Sequence, residues 1–353
     1  MSDEPRTRFP AGRVVSHNLF WPVVALLLMV AANTIYRPSF LSIAVRDGHL
    51  FGAPIDILRN AAPLMLVALG MTLVIATRGI DLSVGAVVAI SGAVSLSWIA
   101  GSPNPEAVGT VAAAVGIALA LCLVLGVWNG FLVAVLGIQP IIATLILMTA
   151  GRGIAMLITS GQITTVNSGP YKWLGSGWVL GLPVPTWIAA VMFAIVLVLC
   201  RRGALGMLIE AVGINPAAAR LAGVRSRVIT WTVYAVCGLF AGIAGLLLSA
   251  NVMAADANNA GLFIELDAIL AVVIGGTSLA GGKFSLSGTV VGVLIITTLS
   301  LTVTILGISP LVTPLFKAVV VILVTLAQSP VAREKLESMG RRRAALRAQE
   351  VAA

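Results

Sequence analysis

Long apolar runs alternate with short polar interruptions along this chain, and the runs are continuous rather than alternating residue by residue. A bilayer-crossing helix needs ~20 apolar residues, whereas membrane β-barrel strands alternate over ~10 residues. The pattern therefore predicts helices, about ten of them. The first covers 19–36, the second 55–77, and the third follows TRGIDLSVG (77–85) to about 100. SPNPE (102–106) is a break with two prolines, after which a fourth helix covers 107–136. Gly137, Gln139 and Pro140 form a tight turn into a fifth helix ending near 159, and a sixth covers 184–200. Four more follow at 228–250, at 268–280, from the GGKFS turn (281–285) to about 304, and at 311–327. Segment 37–53 reads as an external loop or surface helix. Segment 160–182 reads as an external loop with interfacial aromatics Tyr171, Trp173 and Trp178. Segment 251–267 is polar and reads as external or partly re-entrant.

Composition turns this pattern into a class. Of 353 residues 59% are hydrophobic and 10% charged, with a mean hydropathy of +1.06, against roughly a quarter charged in soluble domains. The expected fold is all-α and polytopic, one transmembrane domain over 19–328 between an N-terminal tail (1–18) and a basic tail (329–353). The net charge of +9 would point a soluble protein towards nucleic acid. In a membrane protein it reads as the bias of Lys and Arg towards cytoplasmic segments. Arg6, Arg8 and Arg13 lie in the first tail, and Arg201, Arg202, Arg220, Arg225 and Arg227 in a polar insert at 201–227. Arg333, Lys335, Arg341, Arg342, Arg343 and Arg347 lie in the last tail. Six helices before the insert and four after it put all three segments, and both termini, on the cytoplasmic side. The first apolar run lacks a signal-peptide cleavage site and reads as a retained helix. Cys122, Cys200 and Cys237 sit in or beside apolar runs, where small-residue packing explains them, and no metal or disulfide spacing is present.

The insert has internal structure. Asn215 is a good N-cap, Pro216 suits a first helical turn, and Gly223 is a natural C′ residue, so a short helix spans 215–223. It is alanine-rich, with little apolar surface to draw it into lipid. It reads as a docking helix for another protein, with a plain connecting loop as the alternative.

Other polar residues carry two readings each. Asp81 in RGIDLSVG is an ionisable group near the membrane, which is costly and points to a task. It is either a pathway or gate element beside Ser83 and Gly85, or an N-cap of the third helix, with Arg78 as a further partner. Asp256, Asn258, Asn259, Glu265 and Asp267 offer the amides and carboxylates that bind hydroxyl groups, and equally fit a solvated loop. Lys317 either snorkels or pairs with Glu265 or Asp267. Asn129, Gln139 and Thr144 are weaker pathway candidates. GMTLVIATRGIDLSVGAVV (70–88) and GGTSLAGGKFSLSGTVV (275–291) echo one another, by duplication or by chance. GGTSLAGGKF departs from the phosphate-binding pattern, because Thr277 replaces its first glycine and Phe284 follows the lysine.

EAVGINPAAARLAGV (210–224) resembles the cytoplasmic coupling loop of bacterial ABC importer permeases. GIDLSVG (79–85) and ELDAILAVVIGGTSLAGG (265–282) are similar to motifs of the ribose/xylose/galactofuranose branch, and 47–63 and 255–269 look closest to a galactofuranose permease. The resemblance runs from Asp47 to Gln328. It implies an inner-membrane sugar permease working as a homo- or heterodimer with a cytoplasmic ATPase and a periplasmic sugar-binding protein. Insert 201–227 would be the coupling loop, and Glu210, Gly213, Asn215, Ala218, Arg220 and Gly223 the ATPase-coupling positions. The chain itself would hold no cofactor and perform no catalysis, with ATP and magnesium on the partner. The rival classes are an ion-coupled secondary carrier, against which most acids fall at helix ends or loops, and a scaffolding membrane subunit.

Overall fold

The computed structural model describes residues 19–328 and folds them into thirteen α-helices. The two expected tails lie outside the described residues. Six helices are long and apolar enough to cross a membrane: α2 (Ala53–Ala76), α4 (Val108–Ala134), α5 (Pro140–Ile158), α7 (Val184–Arg201), α10 (Ser226–Val252) and α12 (Leu286–Ile305). Shorter apolar helices are α1 (Phe20–Tyr36), α3 (Val84–Ala100), α11 (Ile264–Ile274) and α13 (Thr313–Gln328). The remaining three are α6 (Gly169–Ser176), α8 (Leu205–Ile214) and α9 (Pro216–Leu221). Each of the ten apolar segments read from the sequence coincides with one of these helices. The main difference is α11, which starts and stops earlier than 268–280.

α10 is the axis of the bundle and packs on α2, α3 and α4. Lipid tails supply no hydrophobic drive between helices, so small residues that let backbones approach decide the contacts. Gly238 faces Gly126 so closely that an added Cβ would lie 2.7 Å from the Gly126 Cα, and a Cβ on Gly242 would lie 2.7 Å from the Cys122 Cβ. Cys122 and Cys237 are buried packing residues, as expected, and Cys200 is half-buried.

Segment 37–53 is neither loop nor surface helix. It forms a 3-10 turn (Pro38–Leu41) and a hairpin of β1 (Ala44–Arg46) and β2 (His49–Phe51). This hairpin meets a second one, β4 (Trp178–Val179) and β5 (Leu182–Pro183), through stacking of His49 on Trp178 at 5.1 Å and a Leu50 N–H bond to the Gly181 carbonyl. β3 (Thr164–Thr165) pairs with β6 (Ala254–Ala255) at the same end. Tyr171, expected at the interface, is fully buried. Its hydroxyl reaches Ser95 Oγ at 2.8 Å and Ser249 Oγ at 2.7 Å, which satisfies the polar tip inside the bundle.

Candidate functional site

Two helices, not one, fill the insert. α8 precedes α9, and the cap of α9 follows the sequence closely. The Asn215 side-chain oxygen accepts from the Ala217 and Ala218 N–H groups at 3.0 Å each. Gly223, at φ +86°, closes the helix by donating to the Arg220 carbonyl, while the next N–H, of Val224, reaches back to Ala219. This is the paired closure that a C′ glycine permits. Ala218 and Arg220 are exposed, Glu210 is half-buried and Gly213 is buried. The surface is more apolar than the alanine run implies, because Leu221 is 92% exposed and Met207 69%.

The buried end of α8 rests on two other turns. Gly213 fits against the Ala76 carbonyl at the end of α2 and the Gly282 amide in the loop before α12, leaving no room for a Cβ. Gly282 N–H itself donates to the Ala76 carbonyl at 2.9 Å. Arg78, held at φ +66°, hydrogen-bonds the Ile214 carbonyl, and Gly281 packs against the stem of that arginine. The two segments that echo in sequence thus touch each other and the insert at one point. Arg78 is committed to this contact rather than to Asp81.

Asp81 lies just beyond, 1% exposed. It is not the N-cap of α3: that position belongs to Ser83, whose side chain caps nothing. Asp81 Oδ1 instead accepts from Ser83 N–H at 3.0 Å and Ser83 Oγ at 2.6 Å, forming a closed local turn. Asn129 Nδ2 donates to Ser83 Oγ at 2.8 Å, and Thr144 Oγ1 donates to the Ile80 carbonyl at 3.3 Å. Tyr234, unremarked in the sequence, brings its hydroxyl against Gly79 without a hydrogen-bond partner among the described residues. Gln139 stays outside: it is exposed, and its side chain makes no hydrogen bond among the described residues.

The opposite end is built around 253–267. A Cβ on Gly245 of α10 would meet Val88 and Ser91 of α3, and one on Gly261 would meet Val88 and the Gly85 carbonyl. Gly261 therefore sits near the level of Gly245, about 10 Å below the end of α10 at Val252. The loop re-enters the bundle, and α11 spans only its remaining depth with 11 residues. Backbone at such depth survives only where protein or a water-filled cavity takes up its polar groups. Arg152 of α5 does part of this, donating to the Ala257 carbonyl at 3.1 Å and the Ala260 carbonyl at 2.5 Å. Asp256 does more, accepting from the Asn258 and Asn259 amides and from Asn259 Nδ2 at 2.7 Å. The Asn259 side chain holds the Asp256 carboxyl below its ordinary range, with the two backbone amides and Arg152 adding to the effect against partial desolvation.

The acids of this region divide by task. Glu265 is buried against Gly85 in the first turn of α3, and its Oε2 has no hydrogen-bond partner among the described residues. Asp267 pairs with Lys317 of α13 at 2.6 Å, which settles the partner of that lysine. Asn258 and Asn259 are exposed. Two cavities flank the loop, of about 290 Å³ and about 280 Å³, and both are lined by Leu248, Asn259 and Gly261. Arg152 gave no signal in sequence, because a lone arginine in an apolar run reads as an irregularity until its carbonyl partners are seen.

The family model described as branched-chain amino acid transport system / permease component matches residues 53–326. The chain is 51% identical over 315 residues to the galactofuranose transporter permease protein YtfT of Escherichia coli (strain K12), covering 88% of this chain and 90% of that one. It is 44% identical over 338 residues to the fructose import permease protein FruF of Bifidobacterium longum, covering 94% and 93%. It is 39% identical over 311 residues to the ribose import permease protein RbsC of Escherichia coli (strain K12), covering 87% and 92%. No solved structure matches.

Proposed function

Because the chain belongs to the branched-chain amino acid transport system / permease component family, we propose that it is the membrane-spanning subunit of an ATP-driven importer that carries a monosaccharide, galactofuranose, into the cell. The names of three relatives, all sugar permeases, support a sugar over an amino acid, and the identity of 51% against 44% and 39% favours galactofuranose over fructose or ribose. The polar loop supports the same choice. It presents the amides of Asn258 and Asn259, whereas an amino acid would call for a charge on each side of the ligand.

The observation that carries the reading is the seat of Gly213 on Ala76 and Gly282. An ATPase closing on nucleotide would press on the exposed face of α8 and α9, at Leu221, Arg220 and Ala218. The push would pass through a contact with no slack into the turn holding Asp81 and into the loop between α11 and α12. Both broken segments would then swing together, giving alternating access while phosphoryl chemistry stays on the partner. A dimer of such subunits, a cytoplasmic ATPase carrying ATP and magnesium, and a periplasmic sugar-binding protein complete the machine. This chain performs no catalysis in it. The arginines of 201–227 support a cytoplasmic insert, both tails inside, about ten crossings, and an inner-membrane location.

Uptake of labelled galactofuranose by vesicles holding permease, ATPase and binding protein tests this. Uptake should require all three and ATP. Uptake that persists without the ATPase overturns the reading and favours an ion-coupled carrier.

A further inference from the structure

The cavity of about 290 Å³ lies between α2, α10, α11 and α12 and opens beside the re-entrant loop. Its lining is divided. Leu64, Leu248, Ile264 and Ile296 give it an aliphatic side, while Asn60, Asn259, Thr297 and Ser300 give it hydroxyl and amide groups. Asn60 and Asn259 are both exposed. Two exposed amides facing hydrocarbon would be strongly unfavourable, so this side of the bundle is turned away from lipid. The volume lies at the lower end of small-molecule pockets, ~300–1,000 Å³, and suits a single ring.

The amides are also oriented to different degrees. Asn259 donates through Nδ2 to Asp256, which leaves its Oδ1 as an acceptor on a loop pinned by Arg152. Asn60 projects from the regular helix α2, a rigid element that shares the lining with the loop. Asp267 lines the cavity too, with Oδ2 held by Lys317. A ligand fitting this arrangement carries several hydroxyl groups around its edge and C–H groups on its face. No aromatic ring among the described residues lines the cavity, so the aliphatic contact is weak and release is easy.

We propose that this cavity is a monosaccharide subsite on the translocation path, with Asn60 of α2 and Asn259 of the re-entrant loop reading sugar hydroxyls. The proposal rests on the importer reading above. It identifies two positions on which discrimination among sugars depends, and one of them, Asn60, falls within 47–63, a stretch that resembles a galactofuranose permease.

The test uses the complete complex in proteoliposomes and measures labelled galactofuranose uptake per ATP hydrolysed, with single-deoxy analogues as competitors. Asn60→Ala and Asn259→Ala should each lower uptake per ATP about tenfold, the size of one hydrogen bond lost to an uncharged group. Each should also erase discrimination against one deoxy position, while ATP hydrolysis stimulated by the loaded binding protein continues. As a second measurement, Asn259→Cys in a Cys200→Ser background should react with a water-soluble maleimide, and saturating sugar should slow that labelling. If the unaltered complex transports sugar but both alanine variants match it in uptake per ATP and in selectivity, or if sugar leaves the labelling rate unchanged, the subsite is wrong. If the unaltered complex transports no sugar, the importer reading itself has failed.

Discussion

Gly282 donates its backbone N–H to the Ala76 carbonyl at 2.9 Å, tying the loop before α12 to the end of α2. Gly213 of the insert covers that bond. In Gly213→Ala the new Cβ overlaps the Ala76 oxygen, and neither partner is a side chain that can swing aside. Overpacking of this kind costs ~1–3 kcal/mol. We expect a small fall in melting temperature but at least a fivefold loss of uptake, with ATP hydrolysis no longer responding to loaded binding protein. Melting in detergent and coupled uptake assays measure the two effects. Wild-type coupling in this variant would show that force passes elsewhere.

This contact also marks how far the sequence could be read. Capping residues Asn215, Pro216 and Gly223 announced α9, because caps are local chemistry fixed by neighbours in the chain. The ten apolar segments were legible for a similar reason, since each needs only its own length and composition. Family resemblance points to Gly213, but its partners Ala76 and Gly282 lie far away in sequence and carry no side-chain signal. The same limit hid Arg152, which binds backbone carbonyls 105 and 108 positions away. Aromatics favour membrane rims, which points Tyr171 to the interface. Its burial depends on two serines from other helices that no local pattern reveals.

Leu221 is the most exposed apolar side chain of the insert, at 92%. An apolar knob this exposed would be removed from water on docking, and fully burying a Leu side chain is worth ~1.5–3 kcal/mol. Leu221→Asp should therefore weaken ATPase retention about thirtyfold while leaving the melting temperature of the isolated permease unchanged. Co-purification at graded ATPase concentrations measures it. Full retention would move the docking face to Met207 and the outer side of α8.

The Lys317–Asp267 pair links α13 to α11, with side chains 17% and 23% exposed. That exposure lies between a surface pair, worth ~0–1 kcal/mol, and a buried pair, whose breakage costs ~3–5 kcal/mol. Lys317→Met should cost about 2 kcal/mol by leaving the carboxylate without its cation. Adding Asp267→Asn should recover most of the loss, since it removes the stranded charge. Denaturation of the two variants in matched detergent separates a true pair from two independent side chains.

The two largest fully buried side chains are both tyrosines, and their hydroxyls differ. Tyr171 bridges Ser95 and Ser249, and so fastens α6 to α3 and α10. Each serine keeps a bond to its own helix, to Ser91 and Gly245 respectively, so losing the tyrosine oxygen strands neither completely. Tyr171→Phe should cost about 1 kcal/mol. The Tyr234 hydroxyl is buried with no partner among the described residues, and Tyr234→Phe removes that desolvation cost. It should leave stability unchanged or raise it by up to ~1 kcal/mol. Melting temperatures measured side by side should therefore move apart. A fall in Tyr234→Phe as large as that in Tyr171→Phe would mean that a bound water or a second conformation satisfies the hydroxyl beside Asp81. The turn at 77–83 would then be a hydrated hinge rather than a dry one.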